Sequence, residues 1–264
     1  YMLDAFLKDF EPELKKLVKL KPDFTKKATR PLSARAKNFI KGCAYYVKQY
    51  PQDKKNVKTC DIYVTEIYYR SNNRNLATKY LWHMINKYPG TKEGDEAVRN
   101  LIPIYKGNDP LVISTIDKIT KIKPYNSPGN KIGKELATVK FDLESKACGN
   151  KKMPACKRAQ VCRSLYKKNP NSDNACVFLN NDAVNSIQCG KVDDALSAYG
   201  ILLKRCDKKQ PELAKDALIE TAKIYEKKLD FQTSSSRFLM YASKYQKDGK
   251  AIGSAAKACE LRVA

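Results

Sequence analysis

The chain has 264 residues, and 51 lysines and arginines against 28 acidic residues leave a net charge of +23. No apolar run approaches the ~20 residues that cross a bilayer as a helix, and one histidine with no Cys-x-x-Cys pair withholds the convergent ligands of a zinc site. Lysine carries most of the charge; it either solvates an ordinary surface or attracts acidic partners such as nucleic acid, anionic headgroups or an acidic protein.

An apolar-periodic run over residues 3–20 (Leu3, Phe6, Leu7, Phe10, Leu14, Leu17) predicts a first helix, and residues 21–32, with Pro22 and Pro31, read as a connection. From there helices are expected over 33–49, 55–71, 74–88, 93–106, 110–122, 131–147, 154–168, 174–189, 192–206, 213–228, 231–245 and 248–262. Asn72-Asn73, Gly107-Asn108 and Cys189-Gly190 suit left-handed helix ends, whereas Pro110 and Pro211 suit helix starts. No alternating strand pattern flanked by hairpin turns interrupts the series, so the chain is expected to be all-α. The longest break, Lys123 to Lys134 (KPYNSPGNKIGK), suggests four regions: a helix and connection over 1–32, a first subarray over 33–123, an insertion with one helix over 124–153, and a second subarray over 154–264.

Six of these helices end in one column: Pro51, Pro89, Pro124, Pro170, Asp207 and Gln246, at gaps of 38, 35, 46, 37 and 39 residues. Five residues before each closer stand Tyr46, Met84, Ile119, Leu165, Leu202 and Tyr241. Eight before stand Cys43, Leu81, Ile116, Cys162, Tyr199 and Phe238. A period near 35–40 residues marks stacked supersecondary units, each unable to bury its apolar stripe alone. The intervening helices add small residues at Thr65, Ala183 and Ala222, answered by Ala77, Ala195 and Ser234 on the following helix. Small residues let two helices approach, and the large ones a turn away fill the space beside them.

This pattern resembles the tetratricopeptide repeat over roughly residues 33–264. Its best stretches are ACVFLNNDAVNSIQCGKVDDALSAYGILLKRCD (Ala175–Asp207) and AKDALIETAKIYEKKLDFQTSSSRFLMYASKYQ (Ala214–Gln246), with DIYVTEIYYRSNNRNLATKYLWHMINKYP (Asp61–Pro89) close behind. Ile102 and Arg158 depart from it, each standing where a small residue is usual. The resemblance implies a right-handed superhelical α-solenoid whose first helices line a groove for extended or helical peptides. Carried onto this sequence, it places Glu66, Tyr69, Arg99, Asn180, Asp216, Lys223 and Glu226 on that groove, each of which otherwise reads as a solvated face residue. Trp82 with His83 forms a second patch, unless Trp82 packs beneath the first helix. The phrases INKYPGTKEGDEAV and KIYEKKLDFQTSSSRFLMYASKYQKDGKA are similar to the subtype found in bacterial envelope proteins, including those of outer-membrane assembly and gliding motility. That implies a non-catalytic scaffold in the periplasm or cell envelope, a fragment of a longer exported protein reaching a membrane only through parts outside this chain. The alternative is a basic helical repeat that binds nucleic acid.

Nine cysteines are either core thiols of a reducing compartment or disulfides of an oxidising one. If helices on either side of a closer fold back on each other, Cys43 can meet Cys60, and Cys162 can meet Cys176; Cys148 and Cys156 flank the CGNKKMPAC turn and can close it. A Cys189–Cys206 pair is rejected because Cys206 lies at the far end of its helix; these two and Cys259 stay unassigned. His83 is the sole candidate catalytic base, the acidic pair Asp193-Asp194 fits a helix start, and no Gly-rich phosphate loop is present. The expectation is a chain with no catalytic site, cofactor or metal.

Overall fold

The computed structural model describes residues 2–25 and 28–263, with side chains from Ala5 onward; of the first helix's expected apolar stripe, the side chain of Leu3 lies outside the described residues. Among them there is no strand. The helices are α1 (Met2–Leu17), α2 (Ala34–Gln49), α3 (Lys54–Arg70), α4 (Arg74–Lys87), α5 (Lys92–Ile104), α6 (Asp109–Ile119), α7 (Lys131–Gly149), α8 (Ala155–Lys168), α9 (Ala175–Gln188), α10 (Val192–Arg205), α11 (Pro211–Lys227), α12 (Phe231–Lys244) and α13 (Ala251–Val263). Consecutive helices pack on one another from α1 to α6 and from α8 to α13, as an all-α solenoid requires. The chain divides inside α7 into two compact units, Tyr1–Lys140 and Phe141–Ala264.

Local chemistry sets the helix ends. Ser33, Asp53, Asn73, Thr91, Asn108 and Asp230 stand at N-caps, each accepting a hydrogen bond from the backbone N–H three residues on. Such a cap satisfies one of the four orphan donors of a helix start. Asn72 and Gly190 take positive φ at the ends of α3 and α9, where the chain must leave the helix through the left-handed region.

The twelve residues of the two repeat columns are all buried, none more than 9% exposed. They lie on the second helix of each pair, α2, α4, α6, α8, α10 and α12. Ala77, Ala183, Ala195, Ala222 and Ser234 are fully buried at the close approaches, and Ser234 donates its hydroxyl proton to the Ala222 carbonyl at 2.9 Å. The two tyrosines five residues before their closers each have an aspartate partner. Tyr46 O–H donates to Asp53 at 2.6 Å and Tyr241 O–H to Asp248 at 2.7 Å, in each case seven residues on.

A second recurrence sits beside the closers. Lys87 and Tyr88 both donate to Asp61, at 2.8 Å each, and Lys244 and Tyr245 both donate to Asp207. A lysine from the neighbouring first helix lies over each tyrosine ring, Lys58 at 5.6 Å and Lys215 at 5.4 Å. The same Lys-Tyr grip therefore appears once in each unit.

In the first unit, Phe10 of α1 stacks on Phe39 with ring centroids 4.5 Å apart, and Phe6 lies against Gly42. The long break is pinned rather than loose. Tyr125 is buried, its hydroxyl accepts from Gly90 N–H at 3.2 Å, and Gly94 and Gly133 give it room.

In the second unit the cysteine pairing departs from expectation. Cys148 is bonded to Cys162, not Cys156, and Cys176 to Cys206, not Cys162. The six-residue step from Cys156 to Cys162 rotates the helix by about 600°, so the two side chains point about 120° apart. Cys162 shares the buried stripe of α8 that meets the end of α7, while Cys156 faces outward. Cys176 at the start of α9 instead belongs to the core around α10. Arg158 fixes the CGNKKMP turn: its guanidinium donates to the carbonyls of Lys151 and Met153 and to the side-chain oxygens of Asn185 and Gln188, at 2.6–3.1 Å. This is why a charged residue is tolerated at a position that favours small ones.

Candidate functional site: the inner helix faces

In the first unit, α3 and α5 carry Glu66, Tyr69 and Arg99. Glu66 accepts from Arg70 Nε at 2.6 Å, and Arg70 also donates to the Leu20 carbonyl at 2.8 Å. Tyr69 is half-buried because Phe24 from the 18–33 connection lies 5.4 Å from its ring; burial raises its phenol pKa. Arg99 is exposed and reaches α7, where its Nε and Nη2 donate to the two oxygens of Glu135, each at 3.2 Å. The ion pair holds Glu135 below the usual carboxylate range.

Beside Glu66 a cavity of about 190 Å³ opens between the end of α1 and helices α3, α4 and α5. Its floor is apolar, with Leu14, Ile62, Leu81 and Met84, and its wall carries Glu66, Glu93 and Glu96. Glu93 is kept ionised by Lys58, 2.7 Å away, whose hydrogen bond lowers its pKa. An apolar floor under three carboxylates is a notable local inversion in a chain of net charge +23.

In the second unit, α9 and α11 carry Asn180, Asp216, Lys223 and Glu226. Asn180 is half-buried, Asp216 and Lys223 are exposed, and Lys223 donates to Glu220 on its own helix at 2.8 Å. Glu226 is engaged by Lys257 of α13 at 3.1 Å. The structure thus gathers Glu66 with Glu96 at one cavity, places Tyr69 beneath the connection, and ties Glu226 to the last helix.

Sequence reasoning missed Asp61. It is buried on α3 and holds Lys87, Tyr88 and the imidazole of His83, whose Nε2 lies 3.3 Å away. Burial and the Asp61 carboxylate together drive the Tyr88 phenol pKa far up. Asp61 lines a cavity of about 310 Å³ with Cys43, Cys60, Lys79 and His83. Here the imidazole is directed to Asp61, and the neighbouring thiols push each other's pKa apart, Cys43 up and Cys60 down. Trp82, next to His83, is half-buried. The signal available in sequence was the recurring Lys-Tyr dipeptide ahead of Pro89 and Gln246, two donors that a carboxylate can satisfy together.

The cysteine pairs at disulfide distance point to an oxidising, non-cytoplasmic environment, and no described helix is long and apolar enough to cross a membrane. No protein-family model matches the chain, and no curated protein matches it.

Proposed function

We propose that this chain is a non-catalytic, tetratricopeptide-type helical repeat that binds protein partners on its inner helix faces, in the periplasm or cell envelope of a bacterium. Six helix pairs followed by α13, with the column residues buried throughout, support the repeat type. The bonded cysteine pairs support the compartment. One observation carries the binding role: the cavity beside Glu66, apolar below and lined by Glu66, Glu93 and Glu96, has the make-up of a seat for an apolar side chain flanked by basic residues. The lysine-rich exterior favours acidic surfaces on the rest of the partner.

The net charge of +23 favours a second reading, a nucleic-acid-binding repeat. A photo-crosslinking residue at Asn100, on the cavity wall, separates the two. The intact chain is exposed to envelope extract and to duplex and single-stranded oligonucleotides. The expected result is a discrete protein adduct that Glu66→Lys with Glu96→Lys abolishes. Oligonucleotide binding with a steep salt dependence, unchanged by the same pair of substitutions and with no protein adduct, would overturn the protein-binding reading.

A further inference from the structure

Two more cysteine pairs are assembled besides the two that are bonded. Cys43 of α2 and Cys60 of α3 are both buried in the α1–α3 core, where they line the same cavity and each shifts the other's titration. Cys156, one residue into α8, and Cys189, which caps α9, sit at the open end of the α8–α9 pair. The Cys156 thiol donates to the Cys189 carbonyl oxygen at 3.8 Å, and the nearby Cys189 thiol raises the Cys156 pKa. In each pair the partners come from consecutive helices, the same relation that joins Cys148 to Cys162 and Cys176 to Cys206. Cys43 and the bonded Cys162 even occupy the same repeat column, eight residues before Pro51 and Pro170.

We propose that Cys43–Cys60 and Cys156–Cys189 are two further disulfide sites, so that the oxidised chain carries four disulfides and keeps Cys259 as its single thiol. The reaction is thiol–disulfide exchange with a disulfide donor, either a protein dithiol oxidant or a small-molecule disulfide. One cysteine thiolate attacks a donor sulfur and expels a donor thiolate, giving a mixed disulfide. The second cysteine thiolate then attacks the protein sulfur of that bond and expels the other donor sulfur. Each chain pair loses two electrons and two protons, and the donor gains both as two thiols.

The two sites differ in access. Cys43 and Cys60 are buried, so their bond forms before α2 and α3 close on each other and is then shielded from reductant. Cys156 is exposed, so the Cys156–Cys189 bond is open to exchange in the folded protein. When it is closed, three bonds run in series through the second unit, α7 to α8, α8 to α9 and α9 to α10. The solvent-facing middle bond is the one that mild reduction opens first.

The test is a thiol count on the intact chain exported to an oxidising compartment and purified without reductant. Denatured and alkylated, it is expected to take up one label, on Cys259, with peptide mapping finding Cys43 joined to Cys60 and Cys156 to Cys189. In Cys60→Ser and in Cys189→Ser the count rises to two, the new label falling on Cys43 or Cys156. Titration of the folded protein with a mild reductant is expected to release the Cys156–Cys189 pair first. Three or more labels on the unsubstituted chain, or mapped bonds joining other partners, would overturn the proposal. So would release of Cys43 and Cys60 ahead of Cys156 and Cys189. None of these readouts involves a binding partner, so the outcome stands apart from the fate of the protein-binding reading.

Discussion

Replacing Arg163 by methionine tests how the second unit holds its helices together. The guanidinium donates to both oxygens of Asp182, each at 2.9 Å, to Asp194 at 3.0 Å and to the Ser186 hydroxyl at 3.2 Å, joining α8 to α9 and α10. The ion pair drives the Arg163 pKa further upward, with Asp182 the principal cause. The Asp182 side chain is only 4% exposed, so without the guanidinium a buried carboxylate keeps little beyond the Ser186 hydroxyl, 3.1 Å away. Removing one partner of a fully buried pair costs about 3–5 kcal/mol, most of it the desolvated charge left behind. Arg163 is itself 32% exposed, which lets water reach part of the vacated space. The expected loss is therefore about 2–3 kcal/mol, or a fall of about 1 M in urea midpoint at a typical slope. Circular dichroism under non-reducing conditions reads it. The double variant Arg163→Met with Asp182→Leu should recover to within about 1 kcal/mol of the parent, since a volume-matched apolar replacement of a buried pair is often neutral. A single variant within about 0.5 kcal/mol of the parent, or a double variant as unstable as the single, would refute the reasoning.

Three other outcomes are expected. Gly90→Ala should destabilise the first unit by at least ~1–2 kcal/mol in thermal or urea unfolding, because Gly90 has φ +70° and an added Cβ would stand 2.4 Å from the rigid ring of Pro124. Cys176→Ser should cost about 3.6 kcal/mol by the loop-closure estimate for its 30-residue separation, read as the midpoint difference between the variant and the parent under non-reducing conditions. Asp248 is held down to about 2 by the Tyr241 hydroxyl first, then by Lys250 N–H and Lys215. A depressed carboxylate stabilises the fold above its ordinary 3.8 and loses that contribution as pH falls through about 2. A carboxyl-carbon NMR titration should place its midpoint there, and Asp248→Asn should flatten the stability profile over that window. The same contact, after burial, raises Tyr241 to about 12, so its contribution is complete below 10.0 and is lost as pH rises through about 12.

Much of the fold was legible because its determinants are local or periodic. Asn72, Gly107 and Gly190 take the positive φ that the expected helix ends require, Pro110 and Pro211 open α6 and α11, and the column spacing selects residues that are buried in every pair. Spacing works in this way because each helix must turn one stripe toward its neighbours, and the stripe recurs with the unit. The site was less legible. Whether Glu66 or Glu226 is open depends on what covers it, and the covering groups come from afar in sequence: the 18–33 connection reaches the end of α3, and α13 reaches Glu226. Burial of Asp61 was hidden for the same reason, since its three donors stand 22 to 27 residues away on α4 and at its end.

The cysteines show where a periodicity argument stops. A residue on a packed helix has two neighbouring helices to face, the one before and the one after, and distance from the intervening turn describes only the second. Cys43 faces the side that rule expects, sharing a core with Cys60 of the next helix, where both thiols are free. Cys162, in the same column, turns back to Cys148 on the preceding one, which leaves Cys176 free to reach across α10 to Cys206. The difference lies in the partner helices. α7 ends in a thiol that faces the stripe of α8, whereas α1, the helix before α2, offers Phe10 at the corresponding contact and no cysteine. Column position therefore fixes which face a cysteine occupies, and the composition of the two adjacent helices decides which way it bonds. By that argument, removing the facing thiol leaves its partner unpaired: Cys148→Ser should leave Cys162 reduced in its buried stripe rather than shift it to Cys176, because Cys176 is already committed to Cys206. Mapping of alkylated peptides should find Cys162 labelled and the Cys176–Cys206 bond intact, and a Cys162–Cys176 bond in that variant would show that equidistance from the turn, not the facing helix, governs the choice.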